Sequence, residues 1–442
     1  MQIQLSDHFD TKRMLRFTLP SIIMMIFTSI YGVVDGFFVS NFAGKTEFAA
    51  VNFVYPVIMV LGAVGFMFGT GGSALVAVTL GLGDNEKAKR IFSMLVYISF
   101  AVGAVIAIAS WFLLPTVASL LGAEGQMLAD CTTYGRIIML ALPFFILQFE
   151  FQSFFITAEK PKLGLYVTVA SGVANMVLDA LFLAVFDWGL IGAATATAVS
   201  QVIGGLLPIV YFARENDSLL RFTRFEYDGK ALFKTCTNGF SEFLSNISMS
   251  FVSMLYNMQL MNFAGENGVA AYGVLMYVNM FFLAIFIGFA TGISPVIGYH
   301  YGAKNSDELR GLLARSFVII GVSSVLMFIL GEVLAYPLSY VFVGYDSELC
   351  AITLHAFRIY SFVFLLAGMA IFGATFFTAL NDGLTSAIIA FLRTLVFQVA
   401  SVIVFPIFWQ LDGIWLSAVF AEVAAVSLSL FFMAINRKKY NY

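Results

Sequence analysis

The chain has 442 residues, of which 60% are hydrophobic and 11% charged, with a formal net charge of −3 and a mean hydropathy of +0.92. Soluble domains average about 25% charged residues, so the composition excludes a soluble fold and points to an integral membrane protein, and the small net charge gives no sign of a nucleic-acid partner. Cys131, Cys236 and Cys350 lie far apart with no CxxC or histidine-spaced metal pattern, so they are expected to pack as small apolar residues.

A spanning helix needs about 20 apolar residues. Twelve such runs follow in order: 14–40, 48–80, 91–119, 130–158, 163–186, 189–213, 235–263, 268–300, 311–340, 350–380, 383–410 and 413–435. The first begins after a mixed acidic and basic lead without a small-residue cleavage site, so it is expected to be retained as a helix. Pro20, Pro56, Pro143, Pro208, Pro295 and Pro406 lie within runs and mark kink positions. Basic residues alternate in side. Lys12, Arg13 and Arg16 precede run 1. Lys87, Lys89 and Arg90 follow run 2, Lys160 and Lys162 follow run 4, and Arg214, Arg221, Arg224, Lys230 and Lys234 follow run 6. Lys304, Arg310 and Arg315 follow run 8, and Arg437, Lys438 and Lys439 end the chain. Those are 19 of 23 basic residues on one side. The opposite loops hold only Lys45, and Arg136, Arg358 and Arg393 fall within runs. The positive-inside rule then puts both termini in the cytoplasm.

The chain repeats itself. FAGKTEFAAV at 42–51 resembles FAGENGVAAY at 263–272. At the same offset of 221, Gly71 and Ser73 pair with Gly292 and Ser294, Gly81 with Gly302, and Thr157-Ala158 with Thr378-Ala379. The expected fold is an all-α membrane protein of twelve transmembrane helices in two six-helix pseudo-symmetric lobes around a central cleft. Residues 1–213 form the N-terminal lobe, 214–234 a cytoplasmic linker and 235–442 the C-terminal lobe. An even helix count per half makes the repeats parallel, the architecture of an alternating-access transporter.

Polar residues at membrane depth are the candidate site. Run 5 carries Asn175 and Asp179 one helical turn apart on one face. An ionised carboxylate there costs at least ~2.5–3.5 kcal/mol. At 1.5 Å per residue, Asp179 lies about 10 Å and Asn175 about 16 Å below the outer end of run 5, and Asp35 about 8 Å below the outer end of run 1. Thr197 and Thr195 of run 6 fall about 12 and 9 Å down. Two carboxylates, an amide and a hydroxyl at one depth suit a proton or a hard cation such as Na⁺. Each also has a plainer reading: Asp35 as a cap or kink beside Gly32 and Gly36, Asn175 as helix–helix glue, the threonines as small interface residues. Glu242, near the inner end of run 7, either binds a cationic substrate or lines a water-filled vestibule. Gln148, Glu150, Glu332 and Glu422 are read as partners inside the lobes, with Arg358 and Arg393 as counter-charges; His300 and His355 stay unassigned. Met24, Met25 and Met258, with Met254 and Met261, lie on the first helices of the two halves and would border the cleft as an adaptable surface. At the repeat offset Asp35 pairs with Tyr256, placed with the substrate surface, so the second half lacks that acid. GTGGS at 69–73 has no phosphate-loop lysine, and no catalytic set is present, so an ion gradient is expected to supply the energy.

VVDGFFVSNFAG in run 1, NMVLD at 175–179 and GAATATA at 192–198 resemble the multidrug and toxic compound extrusion (MATE) family, over essentially the whole chain. The resemblance implies a cation site in the N-terminal lobe at Asp35, Asn175, Asp179 and Thr197, and a functional acid at Glu242. No carboxylate stands in the middle of run 10, where some members carry a second cation-site acid. It also implies a monomer in the plasma (inner) membrane that exports lipophilic, mostly cationic compounds by antiport with H⁺ or Na⁺, without cofactor or nucleotide. The rival readings are a lipid-linked precursor flippase of the same superfamily, which would line its cleft with arginine, and a membrane-embedded acyltransferase-type enzyme, for which His8, His300 and His355 supply no catalytic arrangement.

Overall fold

A computed structural model describes residues 3–442, and their regular structure is entirely helical. Met1, Gln2 and the Lys45 side chain lie outside the described residues. Twelve helices follow in order: α1 (Thr11–Phe42), α2 (Lys45–Gly81), α3 (Asn85–Leu120), α4 (Gly125–Thr157), α5 (Pro161–Asp179), α6 (Gly189–Ala213), α7 and α8 (residues 229–264 and 266–302), α9 (Ser306–Val343), α10 (residues 347–379, bent at Ser361), α11 (residues 383–409) and α12 (residues 411–440). The break between α7 and α8 is the single residue Gly265, at φ 58° and ψ −147°. Only glycine takes that conformation freely. The break between α11 and α12 puts Gln410 in a similar region (φ 50°, ψ −127°), at a cost of about 1–3 kcal/mol.

Helix starts follow local chemistry. The side chains of Asp10, Asp84, Asp228, Asn305, Asp346 and Asp382 each accept a backbone N–H from the first turn of the helix they precede, worth about 1 kcal/mol apiece. The Asp228 cap starts α7 at Gly229, six residues before the apolar run. The added residues, with Lys230 and Lys234 among them, extend the helix beyond its long apolar run.

Charged loops are knitted together on one face. Arg90 of α3 pairs with Glu226 of the connection between α6 and α7 (3.0 Å), and Lys160 of the α4–α5 turn with Asp217 of the same connection (2.8 Å). His8 reaches Glu308 of α9 (2.6 Å), and Lys439 of α12 reaches Asp382 before α11 (3.3 Å). Both ends of the described chain and five connections therefore share this basic face.

The two halves meet across this face with a twofold pattern. A Cβ on Gly81 would stand 2.0 Å from the Tyr299 carbonyl oxygen, and one on Gly302 would stand 2.2 Å from that of Val78. Residues 81 and 302, and likewise 78 and 299, are related by the offset of 221. Gly71 abuts the backbone of Gly239, and their repeat mates Gly292 and Thr18 also touch. Such reciprocal contacts are those of a two-fold axis between the halves, here running through the seam between α2 and α8.

The apolar cores show where the halves part. One buried cluster takes residues from both halves, including Phe9, Leu80, Phe92, Phe154, Val296, Leu309 and Phe376, near the basic face. Toward the opposite face the core divides in two, one cluster around Val54, Leu142 and Leu190 and another around Tyr256, Phe364 and Trp415. The halves form a V, closed at the basic face and open at the other.

Candidate cation site

The site begins with the fit of α5 against α1. A Cβ on Gly172 would lie 2.6 Å from Phe27 Cε1 and 2.9 Å from Tyr31 Cδ1, so the missing side chain lets the helices approach. From Gly172, positions i+3 and i+7 share its face: these are Asn175 and Asp179. On α1, Asp35 stands one turn beyond Tyr31. Both helices run away from the basic face, so advancing one to two turns along each brings the Asp179 side toward Asp35. The two carboxyls are electrostatic neighbours, with Asn175 and Thr197 beside Asp35. The Thr197 hydroxyl of α6 is 3.5 Å from Asp35 Oδ1, a long contact.

Helix α5 changes character at this point. From Ala180 to Val185 it widens into a π-helical turn, closed by a 2.9 Å bond from Phe186 N–H to Leu181 O. Such insertions occur often at functional sites. Here the change begins at the residue after Asp179.

Among the described residues the pair has no counter-charge. Asn175 and Asp179 are buried (2% and 0% exposed). Both Asp179 oxygens and Asn175 Nδ2 lack a hydrogen-bond partner, and among the described residues no basic side chain pairs with Asp35 or Asp179. A buried carboxylate without a partner is strongly unfavourable, and a second one beside it adds repulsion. A proton or a hard monovalent cation would relieve both, and the donors present are all of the oxygen kind that such a cation takes. Among the described residues no group of three or more His, Cys, Asp or Glu side chains could hold a metal ion.

The model of the MatE family matches residues 20–181 and again 243–404, once in each half and together over well more than half the chain. The chain belongs to the MatE family. Among curated relatives it is 26% identical over 410 residues to a multidrug export protein MepA of Staphylococcus saprophyticus, covering 91% of this chain and 88% of that protein. It is 25% identical over 423 residues to MepA of Staphylococcus aureus, covering 95% and 92%. Among solved structures, a multidrug resistance MATE family transporter in an outward-facing conformation superposes with a TM-score of 0.93 at 23% identity, covering 99% of this chain and 98% of that one. A transporter of the MOP superfamily from Pyrococcus furiosus, described by the reverse polarity of its binding pocket, gives 0.91 at 23%, covering 98% of each. At that identity the solved structures bear on the fold. This is a membrane-spanning MatE chain in two six-helix lobes.

The C-terminal lobe of this MatE protein is built differently at the matching place. Tyr256, the repeat mate of Asp35, is buried (3% exposed); its hydroxyl donates to Gln398 Oε1 and shares a hydrogen bond with Ser417 Oγ, each at 2.7 Å. Its ring stacks on Tyr272 at 5.3 Å. This neutral, satisfied network uses the polar end of Tyr256 inside the lobe, so in this conformation it does not face the cleft. Met24 is also buried here. It is 1% exposed, on the stretch of α1 where Ser21 and Ile22 press against Gly288 of α8. Met25 is half-buried, whereas Met254, Met258 and Met261 stand exposed at helical spacing on one face of α7.

Of the remaining polar residues, Arg393 grips Glu422 with Nε and Nη2 at 2.9–3.1 Å, and Glu242 lies half-buried within the electrostatic reach of Arg393. Glu150 accepts from the Ser99 hydroxyl and Glu332 from Ser361, so neither uses an arginine as counter-charge. Arg358 forms no ion pair among the described residues. The Thr195 hydroxyl turns back to Ile191 O at 2.7 Å, outside the site. Sequence reading missed Tyr31, Tyr55 and Tyr134, which all interact electrostatically with Asp35, Tyr134 also with Asp179 and Thr197. Tyr31 had a signal, its i, i+4 spacing to Asp35; Tyr55 and Tyr134 had none.

Proposed function

We propose that the protein exports lipophilic, mostly cationic small molecules from the cytoplasm in exchange for H⁺ or Na⁺. The observation that carries this reading is the pair of a buried Asp179 and a half-buried Asp35, without a basic partner among the described residues, inside a MatE chain whose curated relatives are multidrug export proteins. The basic face is cytoplasmic by the positive-inside rule, in the plasma membrane, and the V then opens outward. An ion entering from outside binds between Asp35 and Asp179, with Asn175 and Thr197 as further oxygen ligands or as hydrogen-bond partners of a protonated carboxyl. Neutralising the pair changes the α1–α5 contact, favours release of the drug outward and lets the lobes re-close. With the cleft open inward, the ion leaves and drug enters. A ligand can shift such an equilibrium only by its differential affinity for the two states, and the pair supplies that difference for the ion. Glu242, the exposed α7 methionines and Met25 are the residues we assign to the drug path.

The rival flippase reading needs free arginine in the cleft. Arg393 is committed to Glu422, which leaves Arg358 as the remaining candidate of the two and so weighs against a cleft lined with several free arginines. The test is reconstitution of the monomer into liposomes with proton and sodium gradients imposed separately, following a fluorescent organic cation. Dye movement under one gradient, lost in Asp179→Asn, is expected. No movement of dye under either gradient overturns the proposal.

A further inference from the structure

The segment before α1 crosses from one lobe to the other. Leu5 and Phe9 are both fully buried, and Phe9 packs edge-on against Phe17 of α1 at 5.6 Å. On the N-lobe side, Leu5 N–H donates to Glu159 Oε1 of the α4–α5 turn at 2.6 Å. On the C-lobe side, both carboxylate oxygens of Glu308 on α9 are taken by this segment: His8 Nδ1 at 2.6 Å and Phe9 N–H at 2.8 Å. Arg315, two turns along α9, donates to Phe9 O at 2.6 Å and stands 3.5 Å from Glu308 Oε1. Asn305 caps Glu308 N–H and so fixes the start of the helix that carries the anchor.

The repeat gives an independent second observation. Residues 3–10 shifted by 221 are residues 224–231, the end of the α6–α7 connection and the first residues of α7, with Thr223 just before them. That segment is also tied to the third helix of the other lobe. Glu226 pairs with Arg90 of α3, Asp228 N–H approaches Met94 Sδ at 3.1 Å, and Thr223 N–H donates to Ser93 Oγ at 2.8 Å. Met94 is the repeat mate of Arg315. Each lobe's first helix is thus entered through a strap fastened to the third helix of its neighbour. The two straps differ in strength. Arg90 and Glu226 are more than half exposed, where an ion pair is worth little, whereas the Glu308 side chain is 9% exposed and holds two bonds.

We propose that residues 3–10 are a gating strap for the transport cycle, and that Glu308 is its anchor, whose release is required before the cleft can open on the basic face. This rests on the alternating-access reading above. Leu5 and His8 are three residues apart, a span of at most about 10 Å. Ties to Glu159 and to Glu308 therefore cannot both survive a separation of the lobes here, and the Glu308 tie is the one that spans the seam.

The test uses the full chain in lipid nanodiscs, with Cys131, Cys236 and Cys350 replaced by serine and spin labels at the exposed positions of Lys87→Cys and Arg310→Cys. Glu308→Ala is expected to raise the long-distance, basic-face-open population about tenfold. Glu308→Gln keeps an acceptor for Phe9 N–H and should fall between it and the parent. Identical distance distributions in parent and Glu308→Ala overturn the proposal. A second arm joins His8→Cys to Glu308→Cys with a short, cleavable bifunctional thiol reagent. Linked protein should stop moving dye and recover on cleavage; undiminished transport by fully linked protein overturns the strap. Failure of the unlinked parent to move dye would instead count against the drug-export reading, and the distance measurement would still decide the strap.

Discussion

At the scale of single residues, the central observation is that among the described residues neither Asp179 oxygen has a hydrogen-bond partner, while the Asp35 carboxyl stands beside it. Replacing a buried, unpaired charge with a neutral isostere is often neutral or stabilising, so activity and stability should separate. Asp179→Asn is expected to lower gradient-driven export at least about tenfold, while its melting temperature in detergent stays equal to or above the parent's. A melting temperature lowered in step with activity would mean that Asp179 serves packing instead. Asp35, Asn175, Asp179 and Thr197 could be singled out as candidates because a carboxylate in an apolar run is costly and because helix rise converts sequence position into depth. Tyr55 and Tyr134 could not be: in a chain with 49 Phe and 18 Tyr, a Tyr at a buried site has the same pattern as one facing lipid, and only Tyr31 carried a signal, its spacing to Asp35. His8 and Glu308 are 300 residues apart, and nothing local in either stretch announces the other.

At the scale of elements, contacts at helix ends and flanks decide how each rod is placed. Gly172 is one such position. Gly172→Leu should force α5 off the Phe27 and Tyr31 rings, an overpacking cost of about 1–3 kcal/mol. Flux assays should show export lost in greater proportion than stability, and Gly172→Ala should be milder because those rings can turn. The tail of α12 is another. Burial alone would push the Asp382 carboxyl up, but hydrogen bonds from the Tyr440 hydroxyl and from Thr385, with the Lys439 ammonium nearby, together hold it below its ordinary value. A depressed folded-state value contributes stability that is full above the ordinary aspartate range and is lost as pH falls through the depressed value. A spin label at Asn441→Cys should therefore be immobile at neutral pH and loosen only in that acidic window. In Asp382→Asn it should be mobile at neutral pH and insensitive to acid. Helix number and type were legible because length and apolarity suffice for a bilayer. Helix ends were not, since the Asp228 cap carries α7 six residues past its apolar run. Nor were the π-helical turns at Ala180–Val185 and Leu392–Val396, because one extra residue per turn leaves the hydrophobic pattern almost unchanged.

At the scale of the whole molecule, the closed end of the V is a twofold seam made of glycines. Gly81 and Gly302 each place bare Cα against a carbonyl of the other lobe. A backbone atom cannot swing aside as a side chain can, so a methyl group there must push the lobes apart. That contact exists only while the basic face is closed. Gly81→Ala and Gly302→Ala should therefore leave each lobe's own packing intact and destabilise only the closed seam. Overpacking of about 1–3 kcal/mol would shift the closed-to-open ratio about 5- to 150-fold. By the pseudo-symmetry the two variants should shift it by similar amounts. Because both relieve strain at one seam, the double variant should shift it by less than their product. The labels at Lys87→Cys and Arg310→Cys report the ratio directly. Gly321→Ala is the control, since a Cβ there meets nothing within 4 Å. If the two seam variants match that control, the seam does not set the closed state; if they open it while Gly321→Ala does not, closure of the basic face depends on backbone contact at residues 81 and 302.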